Sequence, residues 1–129
     1  MADPIRILLI DDEVQLCRMM KLNLERGGAY EVVTAFSGEE GLERARAEPF
    51  DLVITDFRMP GMNGKEVLEA LKAFNPKLPV ILSSVYHDDP TVITQATDRE
   101  ADGLISKPID HTKMEAVIQE VLSRSRGGG

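Results

Sequence analysis

A chain of 129 residues, 43% hydrophobic and 29% charged, suffices for one ordinary core, and no apolar run approaches the roughly 18 residues of a membrane span. Its 22 acidic against 15 basic residues give a formal charge of -7, which argues against direct binding of nucleic acid by this segment. A single cysteine, Cys17, excludes an internal disulfide and a cysteine-built metal site, so a packing role is expected; the opening "MADPIRILLI" lacks a secretory pattern, so a cytoplasmic location is expected.

In chain order, the first strand is predicted at "IRILLI" (5–10), followed at once by Asp11, Asp12 and Glu13. A second strand, "YEVVTA" (30–35), leads to Ser37, which forms a capping box with Glu40 at the start of a helix. The third, "DLVIT" (51–55), reads as a strand buried on both faces, yet Asp56 follows it directly. A charge there must meet a surface, a partner or a metal. Pro60 and Gly61 then turn the chain, and Gly64 opens a helix with Val67, Leu68, Leu71 and Phe74 at helical spacing. "PVILSS" (79–84) is the fourth strand and ends in Ser83 and Ser84; Asp89 with Pro90 starts the next helix. "GLIS" (103–106) is the fifth, followed by Lys107 and Pro108, and Met114, Val117, Ile118, Val121 and Leu122 mark the last helix. A domain over 1–124 with a flexible tail at 125–129 is expected.

Single helices between successive strands force the strands to run parallel, giving a doubly wound α/β domain with ligands bound beyond the carboxyl ends of the strands. Asp11, Asp12, Asp56, Ser83, Ser84 and Lys107 all fall there. Three carboxylates brought together raise one another's pKa unless a cation offsets them, and an all-oxygen donor set favours Mg²⁺. The bland reading of Asp11 and Asp12 as helix caps leaves Asp56 and Lys107 unexplained.

"LLIDDE", "DLVITDFRMPGMNG", "PVILSS" and "GLISKP", in this order and spacing, resemble the receiver domains of two-component response regulators, the CheY-like group. The resemblance spans essentially the whole chain. It implies the flavodoxin-like strand order 2-1-3-4-5 with five helices. It further implies Asp56 as phosphoacceptor, Asp11 and Asp12 as Mg²⁺ carboxylates with Arg58 a ligand through its backbone carbonyl, Ser84 as the switch hydroxyl and Lys107 as the family's lysine. The implied partners are a sensor histidine kinase or histidine phosphotransfer protein and a downstream protein or effector domain. A homodimer through the fourth helix, fifth strand and fifth helix is a further expectation, with the weak helix "PTVITQATDREA" (90–101) as the responsive element.

The pattern departs from the family at Leu104, where Tyr or Phe is usual, so the coupled swing of hydroxyl and ring cannot operate as usually described. Val85 replaces a small residue, Glu100 a helix-ending glycine and Asn63 a turn aspartate. Arg58 and Tyr86 are both large and flank the site, which predicts shielding of a phosphoryl group from water. His87 is expected to be a loop residue, His111 a capping or surface residue, and Met20, Met59 and Met114 core packing. An aspartate-nucleophile phosphatase would want an acid where Arg58 stands, and a flavin-binding module would want a phosphate loop where "DDEVQ" stands. The remaining alternative is a degenerate receiver that only docks proteins.

Overall fold

The computed structural model describes residues 3–85 and 101–126. In chain order the elements are β1 (Ile5–Ile10), α1 (Val14–Glu25), β2 (Tyr30–Ala35), α2 (Gly38–Ala47), β3 (Leu52–Asp56), α3 (Gly64–Phe74), β4 (Val80–Val85), β5 (Gly103–Lys107) and α4 (His111–Arg126). The five strands form one parallel sheet in the order β2-β1-β3-β4-β5. The order reverses direction between β1 and β3, and the crevice of such a sheet opens at their carboxyl ends. Four of the five expected helices are among the described residues; the one expected over 90–101 falls almost wholly outside them, as do Tyr86, His87, Asp89 and Glu100.

The alternation of side chains along each strand builds two cores. Leu8 and Ile10 of β1, Val53 of β3 and Leu82 of β4 pack with Leu42, Val67, Leu68 and Leu71 under α2 and α3. Their neighbours Ile7, Leu9, Ile54 and Ile81 pack with Cys17, Met20, Met114 and Ile118 under α1 and α4. Every residue of β3 is buried, as its unbroken apolar run requires. Met20, Met59, Met114 and Cys17 are all core residues, as expected. Gly41 lets α2 lie directly on β1: a Cβ there would stand 2.3 Å from Ile10 Cδ1.

Several local expectations are corrected. Phe74, on the helical stripe of α3, is 50% exposed because the stripe runs past the edge of the core at the last turn. Ser37 Oγ does accept from the Glu40 N–H at 3.1 Å, but the Glu40 carboxylate accepts from the Phe36 N–H rather than from Ser37, so the box is not reciprocal. A complete capping box is found at Asn63 and Glu66 instead, at 2.9 and 3.0 Å, and Asn63 is therefore the helix cap and more than a tolerated turn residue. At the start of α4 the capping is done by Asp110, whose carboxylate accepts from the Lys113 N–H, while His111 is half-buried with Nδ1 unpaired among the described residues.

Candidate phosphoacceptor site

Asp56 and Lys107 are the last residues of their strands rather than the first residues beyond them. β-pairing sets Asp56 beside Ser83, Ser84 beside Ser106 and Val85 beside Lys107. The carboxyl end of β3 is fastened on both sides: the Phe57 N–H donates to Ser83 O at 2.7 Å, and the Gly64 N–H donates to Phe57 O at 2.9 Å. That second contact demands glycine. A Cβ on Gly64 would lie 2.3 Å from Asp56 O and 2.7 Å from Phe57 Cα, both backbone atoms that cannot step aside. Gly61, at φ +75°, supplies the left-handed turn between them.

Asp11, Asp12 and Asp56 each offer a carboxylate oxygen, all within 4.8 Å of one another. Asp11 and Asp56 are buried and Asp12 is exposed. Lys107 Nζ stands 2.9 Å from Asp11 Oδ2, 3.1 Å from Glu13 Oε1 and 3.3 Å from Asp56 Oδ1, with its side chain 9% exposed. Asp11 also accepts from the Glu13 N–H at 2.9 Å. The Lys107–Pro108 peptide is cis.

Burial is the largest cause that pushes the Asp56 carboxyl up to about 6, with the Asp11 charge adding to it and Lys107 opposing. Burial likewise raises Asp11 above the usual carboxylate range, against the Glu13 N–H and Lys107. For Lys107 burial works against the charge, yet its hydrogen bond to Asp11 and the charges of Asp11 and Asp56 outweigh it and hold the ammonium above the usual lysine range. Burial, reinforced by Asp11, pushes the Cys17 thiol up to about 12, so Cys17 is an inert packing group whose Sγ meets Asp11 O at 3.3 Å. One buried ammonium cannot offset three carboxylates. The excess negative charge and the all-oxygen donors fit a hard divalent cation such as Mg²⁺.

The remaining sequence-predicted groups lie on β4, on β5 and in the turn after β3. Ser84 is buried one residue along β4 from Ser83, and the Ser83 hydroxyl is buried with no hydrogen-bond partner among the described residues. Arg58 is exposed two residues past Asp56, and Val85 is half-buried at the end of β4. Leu104 is 37% exposed on β5, paired with Leu82. Glu13 is a site residue whose partner sequence reasoning did not supply: it follows the acidic pair, but nothing local says that it reaches Lys107, 94 residues away.

An open parallel sheet with an acidic, lysine-bearing crevice beyond the ends of β1, β3 and β5 places the chain among the doubly wound α/β domains that bind ligands at that edge. The family model for "Response regulator receiver domain" matches residues 7–119, and the chain belongs to that family of two-component signalling domains. It is similar to the receiver domain protein (CheY-like) from Methanospirillum hungatei JF-1, with a TM-score of 0.90 and 30% identity over 98% of this chain and 99% of that one. A receiver domain protein from Clostridium thermocellum matches with a TM-score of 0.86 and 31% identity, covering 95% of this chain and 97% of that one. The transcriptional regulatory protein ZraR of Klebsiella oxytoca is 36% identical over 97% of this chain, which spans only 28% of that relative's length.

Proposed function

We propose that Asp56 is the phosphoacceptor of this receiver domain, receiving its phosphoryl group from a sensor histidine kinase or a histidine phosphotransfer protein. The observation that carries this reading is Lys107 Nζ at 3.3 Å from Asp56 Oδ1, in a crevice where Asp11, Asp12 and Asp56 lie close enough to share one cation. An Asp56 oxygen attacks the phosphorus of a phosphohistidine. The O–P bond forms as the P–N bond breaks, the electron pair leaves on the imidazole nitrogen, which takes up a proton, and an acyl phosphate remains. Lys107 offsets charge on the phosphoryl oxygens, and the Ser84 hydroxyl donates to one of them after transfer. Asp11, Asp12 and Asp56, with the Arg58 carbonyl, would hold Mg²⁺, which would supply further positive charge to offset the phosphoryl oxygens. Leu104 leaves β5 without an aromatic ring to swing, so the change propagates through the Ser84 end of β4 and its backbone.

The site residues support a working receiver over the docking-only alternative, because a degenerate receiver has no use for a buried lysine among converging carboxylates. The partner's response would fall on β5, α4 and the helix expected over 90–101, which is also the face proposed for a homodimer. ZraR is a transcriptional regulatory protein, and by analogy the output of this chain would lie in an effector outside the segment or in a separate protein, in the cytoplasm. Among the described residues no helix is long and apolar enough to cross a membrane.

Mass measurement after incubation with acetyl phosphate and Mg²⁺ tests the assignment. One added phosphoryl group on the wild type and none on Asp56→Asn is the expected outcome. An unmodified wild type, or equal labelling of Asp56→Asn, refutes it.

A further inference from the structure

Among the described residues Lys107 meets three carboxylates, and the longest of these contacts is the one to Asp56. The other two come from the segment after β1, so the ammonium is drawn toward Asp11 and Glu13. Glu13 stands apart from the other two acids. It occupies the N-cap position of α1, where short side chains such as Ser, Thr, Asp and Asn are favoured because they reach the first free amides. Its carboxylate makes no capping bond there and is turned instead onto Lys107. Its side chain is 62% exposed, whereas Asp11 and Asp56 are buried at 2% and 7%.

We infer that Glu13 is a positioning residue that restrains Lys107 in the unphosphorylated domain and gives it up when the ammonium turns to a phosphoryl oxygen on Asp56. This rests on the reading of Asp56 as phosphoacceptor. Among the described residues the ammonium is hydrogen-bonded to Glu13 and ion-paired with Asp11 and Asp56, so a new acceptor competes with the contacts it already has. Breaking the buried contact to Asp11 would strand a charge away from water, which is costly. Glu13 returns to solvent with little loss, and its own charge opposes the negative charge that a phosphoryl group brings. The contact therefore works as a restraint on modification, set by one exposed side chain. Exposed ion pairs of this kind shift an equilibrium by about two- to fivefold.

Binding of beryllofluoride, a phosphoryl mimic, at saturating Mg²⁺ tests the inference by calorimetry on the wild type, Glu13→Gln and Glu13→Asp, with Asp56→Asn as reference. Saturation removes any effect of Glu13 on the cation itself. Both Glu13 variants are expected to bind the mimic about two- to fivefold more tightly. Aspartate keeps the charge but is one methylene too short to hold Lys107, so it should behave as glutamine does. Equal or weaker binding by Glu13→Gln overturns the inference. So does a Glu13→Asp variant that matches the wild type, since the charge would then act at a distance rather than through Lys107. If the folded wild type does not bind the mimic, or Asp56→Asn binds it equally well, the assignment of Asp56 fails and this inference falls with it.

Discussion

Arg58 sits two residues beyond Asp56, on the exposed side of the turn that Pro60, Gly61 and the Asn63 cap hold in place. If Asp56 is the phosphoacceptor, two effects compete for the role of Arg58 in the phosphorylated state. A guanidinium turned inward would stabilise charge in the hydrolytic transition state and speed dephosphorylation. Turned outward, its stem would cover the phosphorus and keep water from aligning for attack. Its exposure favours the second, because the interior of the crevice is already filled by Lys107 and the carboxylates. Arg58→Ala is therefore expected to lose its phosphoryl group a few-fold faster than the wild type in a decay assay, and slower loss would show that the arginine assists hydrolysis. Tyr86, expected to act with it, lies outside the described residues.

At the scale of elements, α1 presents two faces with different tasks. Cys17, Met20 and Leu24 are buried against the sheet, while Val14, Met19 and Leu22 form an apolar stripe on the outside, with Leu22 at 66% and Met19 at 51% exposure. Met19 also lines a groove with Leu16, Val85, Pro108 and Ile109 that runs beside Lys107. If Asp56 is the phosphoacceptor, a protein donor seated on this groove would use these side chains, whereas acetyl phosphate needs no such surface. Leu22→Glu combined with Met19→Lys should slow transfer from a protein donor by about tenfold or more, the usual cost of losing an apolar anchor, and leave labelling by acetyl phosphate unchanged. Equal loss with both donors would place the defect in the site itself. Of α1 only the packing of Cys17 and Met20 was legible in the sequence; its outer stripe was not, and the clear helical stripes were in α3 and α4. The strands were legible as recurring short apolar runs, and the site followed once the charges and hydroxyls that end four of them, all but β2, were seen to share one edge. What escaped was tertiary. Gly64 reads as the first residue of a helix, with no sign that Asp56 O lies where its Cβ would go, and Glu13 as one more acid after β1, with no sign that Lys107 stands beside it.

For the molecule as a whole, the site is a local conflict that the rest of the fold must carry. The Asp56 carboxyl, whose ordinary value is 3.8, is pushed up to about 6, first by burial and then by Asp11. A raised folded value means that the native state binds the proton more tightly than the unfolded chain does. Its contribution to stability is thus fully present below pH 3.8 and is lost as pH rises through 6. Lys107 stays charged throughout this window, so it does not mask the trend. Two pKa units correspond to about 3 kcal/mol, and coupling to Asp11 reduces the share that one residue can show to roughly 1–2 kcal/mol. Asp56→Asn keeps the shape and removes the charge. In metal-free buffer its melting temperature should fall less than that of the wild type between pH 4 and pH 7, and at pH 7 it should be the higher of the two by roughly 3–8 °C. Adding Mg²⁺ at pH 7 should then raise the wild type by a few kcal/mol at concentrations well above its dissociation constant, through binding to the folded state alone. The Asn variant, lacking one of the three carboxylates, should gain much less. Parallel pH profiles for the two proteins would mean that burial of Asp56 costs the fold nothing. Equal gains from Mg²⁺ would mean that the cation does not depend on Asp56.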